Sequence, residues 1–109
     1  MAKVIFSIQY EIIPEKRDDY LDVIRELKNI VKSEGLESYS VFEKKSKKNN
    51  FEEIHIFSNE EAYEAFDDNG DERVEILMEK LSNIIKNNST QYNTLYEVWS
   101  LNSLNKIIQ

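Results

Sequence analysis

Cysteine is absent from this 109-residue chain, and histidine, proline and tryptophan occur once each. The first absence excludes a disulfide framework, a thiolate metal site and a cysteine nucleophile together, and makes the cytoplasm the expected compartment. With His55 as the sole histidine, any histidine-based acid, base or metal chemistry must use that residue. The two glycines, Gly35 and Gly70, build no phosphate-binding loop, and neither a zinc motif nor a Ser-His-Asp signature is present. No stretch approaches the ~20 apolar residues of a membrane span. The opening segment lacks a secretion signal's apolar core, because Ser7, Gln9 and Glu11 interrupt it at alternate positions. Positive charge is also scarce: 14 Lys and Arg stand against 21 Asp and Glu, for a net charge of −7. That balance repels nucleic-acid phosphates and anionic lipid, so neither nucleic acid nor membrane is expected as a partner.

What is present suffices for one domain with one hydrophobic core, folding without a disulfide or a structural metal. Charge is uneven along it. Nine acidic residues and one basic residue, Arg73, fall between Glu60 and Glu79, whereas Lys44, Lys45, Lys47 and Lys48 cluster in another segment. Both runs read as solvated surface. Asp67-Asp68-Asn69-Gly70-Asp71 invites a calcium-loop reading, but placing Gly70 at the sixth position puts Ala65 at the first and Ile76 at the twelfth, where carboxylates are required. No metal is expected.

Residues 3–13 alternate as a strand, with Val4, Phe6, Ile8, Tyr10 and Ile12 on one face. Pro14 ends the ladder and suits a first helical turn. Tyr20, Val23, Ile24, Leu27, Ile30 and Val31 then follow at helical spacing, with Gly35 as the expected C-terminal cap. Residues 36–44 and 51–58 form the next strands, an antiparallel hairpin. Pairing Lys44 with Phe51 puts Tyr39, Val41, Ile54 and Ile56 on one face and Ser38, Ser40, Phe42, Glu53, His55 and Phe57 on the other. Ser58 and Glu61 fit a capping box before a short helix. After a break at residues 67–70, a longer helix carries the stripe Val74, Leu77, Met78, Leu81, Ile84 and Ile85. Residues 91–101 make the last strand, and residues 102–109 a tail able to pack on a partner subunit.

Strands and helices in the order β-α-β-β-α-β favour an α+β, ferredoxin-like sandwich: a four-stranded antiparallel sheet with its helices on one face. The other face is left open. In the register above it carries Ile5, Ile13, Phe42, Phe57 and either Trp99 or Tyr96, an apolar patch of the kind that marks an interface. A homodimer packed sheet to sheet is therefore expected.

The junction Ile12-Ile13-Pro14-Glu15-Lys16-Arg17-Asp18-Asp19-Tyr20-Leu21, and the segment Phe57-Ser58-Asn59-Glu60-Glu61-Ala62-Tyr63-Glu64-Ala65-Phe66, resemble the antibiotic-biosynthesis monooxygenase superfamily of dimeric α/β barrels. The resemblance spans residues 3 to about 101 and frames residues 1–101 as the domain. It implies cofactor-independent oxygenation of aromatic polyketides or quinols, or haem degradation. Many members carry a histidine after the helix corresponding to residues 60–65; Phe66 and Asp67 stand there in this chain, which disfavours haem and leaves no cofactor expected.

His55 and Glu53, two residues apart on one strand face, are the catalytic candidates: a Glu-oriented histidine could take a proton from a phenol or quinol. The alternative is a histidine hydrogen-bonded to Ser40 or Glu53 at the dimer interface. Tyr10, Tyr63, Phe66, Tyr96 and Trp99 are the candidates to line an aromatic substrate pocket, against ordinary core packing. Two functions follow: a cofactor-free monooxygenase-like protein acting on a small aromatic or quinol-type molecule, and a non-catalytic binding or interaction module on the same scaffold.

Overall fold

The structure is a computed structural model that describes residues 2–66 and 71–98. Strand β1 (Val4–Glu11) leads through a 3-10 turn (Pro14–Lys16) into helix α1 (Arg17–Ile30); strands β2 (Leu36–Glu43) and β3 (Asn50–Phe57) follow. Helices α2 (Glu60–Ala65) and α3 (Glu72–Ser82) precede strand β4 (Gln91–Tyr96). The sheet order is β2-β3-β1-β4, with every pairing antiparallel. This is the expected ferredoxin-like arrangement. The calcium-like segment at residues 67–70, Trp99, Leu101 and the tail lie outside the described residues.

Periodicity places the helices correctly. Tyr20, Val23, Ile24 and Leu27 of α1 and Leu77 and Leu81 of α3 are buried in one cluster with Tyr10, Ile12 and Phe51 of the sheet. A second cluster joins Val4, Phe57 and Ala62, bringing α2 onto the same sheet face. The helix ends differ in detail. Helix α1 stops with Val31 as its cap, so Gly35 (φ +83°) instead turns the chain into β2 against α2. Asn59, rather than Ser58, caps α2 by accepting the Ala62 N–H at 2.8 Å.

The largest departure is the β2–β3 register. Glu43, not Lys44, pairs with Phe51, because Asn49 adopts φ +67° and the Lys44 N–H reaches Asn50 O at 2.8 Å. Since side chains alternate with period two, a shift of one residue exchanges the faces of one strand relative to the other. Tyr39 and Val41 therefore lie beside Glu53, His55 and Phe57 under the helices, while Ile54 and Ile56 point to the open face. The open face consequently carries Ile56, Ile5 and Leu95 in a row across β3, β1 and β4, together with Phe42. Of the residues expected there, Phe57 is instead fully buried and Tyr96 sits on the helix side, reaching Glu60.

At the end of the sheet beneath the start of α1, Arg17 makes a two-point pair with Glu43, at 2.6 and 2.8 Å, and donates to Asn49 Oδ1 at 2.9 Å. The guanidinium, followed by the Asn49 N–H, holds the Glu43 carboxyl down to about 2. These contacts tie the helix to the hairpin turn.

Candidate functional site

Between the sheet and the helices, toward the C-terminal end of α1, a cavity of about 470 Å³ is open. Leu27, Ile30 and Val31 form one wall; Val74, Glu75 and Met78 of α3 form the opposite one. Tyr39, Glu53 and His55 supply the floor from the sheet, and Phe66, Lys32 and Asp71 border the rest. The mix of aliphatic walls, aromatic rings and a few converging polar groups suits a small, largely apolar molecule.

His55 is 3% exposed. The Phe6 carbonyl 3.1 Å from Nδ1 can only accept, so Nδ1 carries a proton and donates it there. The ring stands between aromatic neighbours, with centroids 4.8 Å from Tyr39, 5.4 Å from Phe66 and 5.5 Å from Phe6. It is thus on the helix-covered face, not on the open face where an interface histidine was expected. The one-residue register change accounts for the difference.

Glu53 is 2% exposed, and the Tyr39 hydroxyl donates to its Oε1 at 2.7 Å. The Tyr10 hydroxyl interacts with the same carboxylate and lies 2.7 Å from the Tyr20 hydroxyl. Burial first, and the Glu53 charge second, push the Tyr10 and Tyr39 phenols far above their usual range; burial does the same to Tyr20. All three hydroxyls therefore stay protonated and available as donors. Among the described residues no cluster of histidine or acidic side chains is placed to hold a metal ion.

Of the residues singled out in the sequence, Glu53, His55 and Phe66 come together at the cavity. Tyr10 is buried in the main cluster and reaches the cavity only through Glu53. Tyr63 packs between Phe6 and Phe57 with its hydroxyl 3.0 Å from Thr94 Oγ1, and Tyr96 is exposed on the edge strand. Trp99 is beyond the described residues. Tyr39 was missed as a site residue, because the wrong register pairs it with Ile56 in an ordinary core. Val74 and Met78 were visible as a helix stripe, but nothing in a stripe tells a filled interface from a lined cavity.

A four-stranded antiparallel sheet in ferredoxin-like order, with its helices on one face, defines the class. A family model for antibiotic biosynthesis monooxygenases matches residues 2–72, and the chain belongs to that family. Solved structures share the fold at low identity. A conserved protein from Methanosarcina mazei is 16% identical, with a TM-score of 0.73 over 87% of this chain and 92% of that one. SnoaB, a cofactor-independent oxygenase from Streptomyces nogalater, is 11% identical, with a TM-score of 0.70 over 91% and 96%. A protein from Mycobacterium tuberculosis is 10% identical, with a TM-score of 0.73 over 90% and 97%. No curated protein matches the chain. No helix among the described residues is long and apolar enough to cross a membrane.

Proposed function

We propose that the chain is a cofactor-independent monooxygenase that oxidises a small aromatic or quinol-type molecule in the cavity beneath its helices. The observation that carries this reading is the convergence of Glu53, Tyr39 and His55 on the floor of a space of about 470 Å³ walled mainly by aliphatic side chains and Phe66, with Lys32, Asp71 and Glu75 also bordering it. Membership of the monooxygenase family supports it. Such a substrate needs little from the protein beyond desolvation, orientation and removal of a proton, because an electron-rich aromatic anion can itself reduce oxygen. For an anthrone the overall change is a ring CH₂ plus O₂ giving C=O plus water. Oxygen uptake by purified protein with a panel of quinols and anthrones, no flavin or metal added, is the expected result. Tight binding of the same molecules without oxygen uptake would favour the binding-module reading instead.

We further propose that the working unit is a homodimer joined through the open sheet face. The row Ile56-Ile5-Leu95 gives that face an apolar band with no helix among the described residues over it, and Leu95 and Phe42 are each 56% exposed. Light scattering at micromolar concentration should return about twice the chain mass of 12.9 kDa. Substituting Ile5 with Glu should return the single-chain mass, and a monomeric wild-type protein would refute the dimer.

A further inference from the structure

We infer that Glu53 is the group that takes the substrate's proton, with Tyr39, through its hydroxyl, as the positioning residue for the carboxylate. The inference rests on the oxygenase reading for the identity of the reaction alone; the cavity and the carboxylate stand independently of it.

A carboxylate withdrawn from water is costly unless a cation or several donors compensate. The ion pairs among the described residues, Lys3–Glu37, Arg17–Glu43, Arg25–Asp22 and Lys86–Glu11, leave Glu53 out. Its hydrogen-bond partner is the neutral hydroxyl of Tyr39, at 2.7 Å on Oε1. The carboxylate is thus held from β2. A carboxylate offers about four acceptor positions, and one tyrosine does not fill them. What capacity is left belongs to a group that borders the cavity. A ligand hydroxyl seated over the floor completes the set.

The strand pattern points the same way. In β3 the residues turned outward include Ile54 and Ile56, while Glu53 is turned inward. Burial alone would favour the opposite choice. His55 has a different part: with Nδ1–H given to Phe6 and its ring framed by Tyr39, Phe6 and Phe66, it is a wall that sets the plane of the substrate.

For an anthrone, Glu53 accepts a proton from the ring CH₂. The resulting anion passes one electron to O₂, and the radical and superoxide combine to form a C–O bond and a peroxide anion. Protonated Glu53 returns its proton to the terminal peroxide oxygen. Glu53 then takes the second C–H proton as the O–O bond breaks and hands it to the departing hydroxide, giving the ketone and water and leaving Glu53 ionised for the next turn. The substrate loses two hydrogens and gains one oxygen atom; the other oxygen atom leaves as water.

The test has two arms, each with circular dichroism and a melting curve to verify folding. In the first, binding of 1-naphthol is compared with binding of 1-methoxynaphthalene, which lacks the donor. Wild-type protein should favour the naphthol by about tenfold or more, as a hydrogen bond to a charged acceptor would give, and Glu53→Leu should bind the two alike. In the second, oxygen uptake with an anthrone is measured. Glu53→Gln should lower kcat by about 100-fold or more with KM little changed; Tyr39→Phe should lower kcat about tenfold, again without KM. Should Glu53→Leu not fold, the near-isosteric Glu53→Gln and Tyr39→Phe carry the decision. Oxygen uptake that survives Glu53→Gln overturns the role of Glu53 and leaves the oxygenase reading standing. Discrimination lost in Glu53→Leu, without oxygen uptake by wild type, overturns the oxygenase reading and keeps Glu53 as the acceptor. Equal binding of both probes by wild type overturns the inference.

Discussion

Replacing Tyr20 with alanine should remove about 3–5 kcal/mol of folding stability, the range for truncating a large buried aromatic side chain. Tyr20 has no exposed surface; its ring lies 4.4 Å from that of Phe51 and meets Tyr10 edge-on at 5.9 Å. The substitution therefore opens a cavity in the largest cluster and also takes a partner from the Tyr10 hydroxyl. Urea unfolding with an unchanged m-value is the measurement. Tyr20→Phe separates the two contributions: packing is kept, and the loss should fall to about 1–2 kcal/mol, the cost of a buried hydroxyl short of one hydrogen bond. A Tyr20→Ala protein within 1 kcal/mol of wild type would mean that this cluster does not carry the fold.

Gly35→Ala should cost about 2–3 kcal/mol, although only a methyl group is added. Two effects coincide there. The backbone sits at φ +83°, a conformation that costs a non-glycine residue about 1–3 kcal/mol. A Cβ built on Gly35 would also stand 2.4 Å from the Ala62 Cβ, so the start of β2 and helix α2 could not keep their present separation. The two can be told apart in the double variant with Ala62→Gly, which relieves the contact and leaves the dihedral. Chemical denaturation of the pair should recover part of the loss, about 1 kcal/mol, less the helix propensity surrendered by the second glycine. No recovery would assign the whole effect to the backbone.

The elements were legible in the sequence because their signals are local. The stripe from Tyr20 to Leu27 repeats at helical spacing, Pro14 marks a helix start, and β1 alternates cleanly. The hairpin register was not legible, since it turns on one dihedral at Asn49 inside a polar segment where lysine and asparagine offer no preference between two pairings one residue apart. Hydrophobic patterning made matters worse: Ile54 and Ile56 read as core and Glu53 and His55 as surface, the reverse of their places. The pattern misleads because the layer beneath α1 and α3 holds a cavity there, so polar groups can face inward toward space rather than into packed side chains. Glu53 and His55 could be named from residue type alone; Tyr39 could not, because its place follows from the register.

The clamp at Arg17 has a consequence for how faithfully the hairpin assembles. Both of its acceptors flank the turn, Glu43 at the end of β2 and Asn49 within it. Sliding β2 by one residue to bring Lys44 opposite Phe51 would carry Glu43 along the strand and turn its carboxylate to the other side of the sheet. The guanidinium would then meet a lysine position in place of its partner. A surface ion pair of this kind adds little to the stability of a correct fold, yet it penalises a mispairing that would turn Tyr39 and Val41 away from Glu53 and His55 beneath the helices. A few polar atoms at the rim thus act as a proofreading contact during folding, and it is the interior chemistry that they protect.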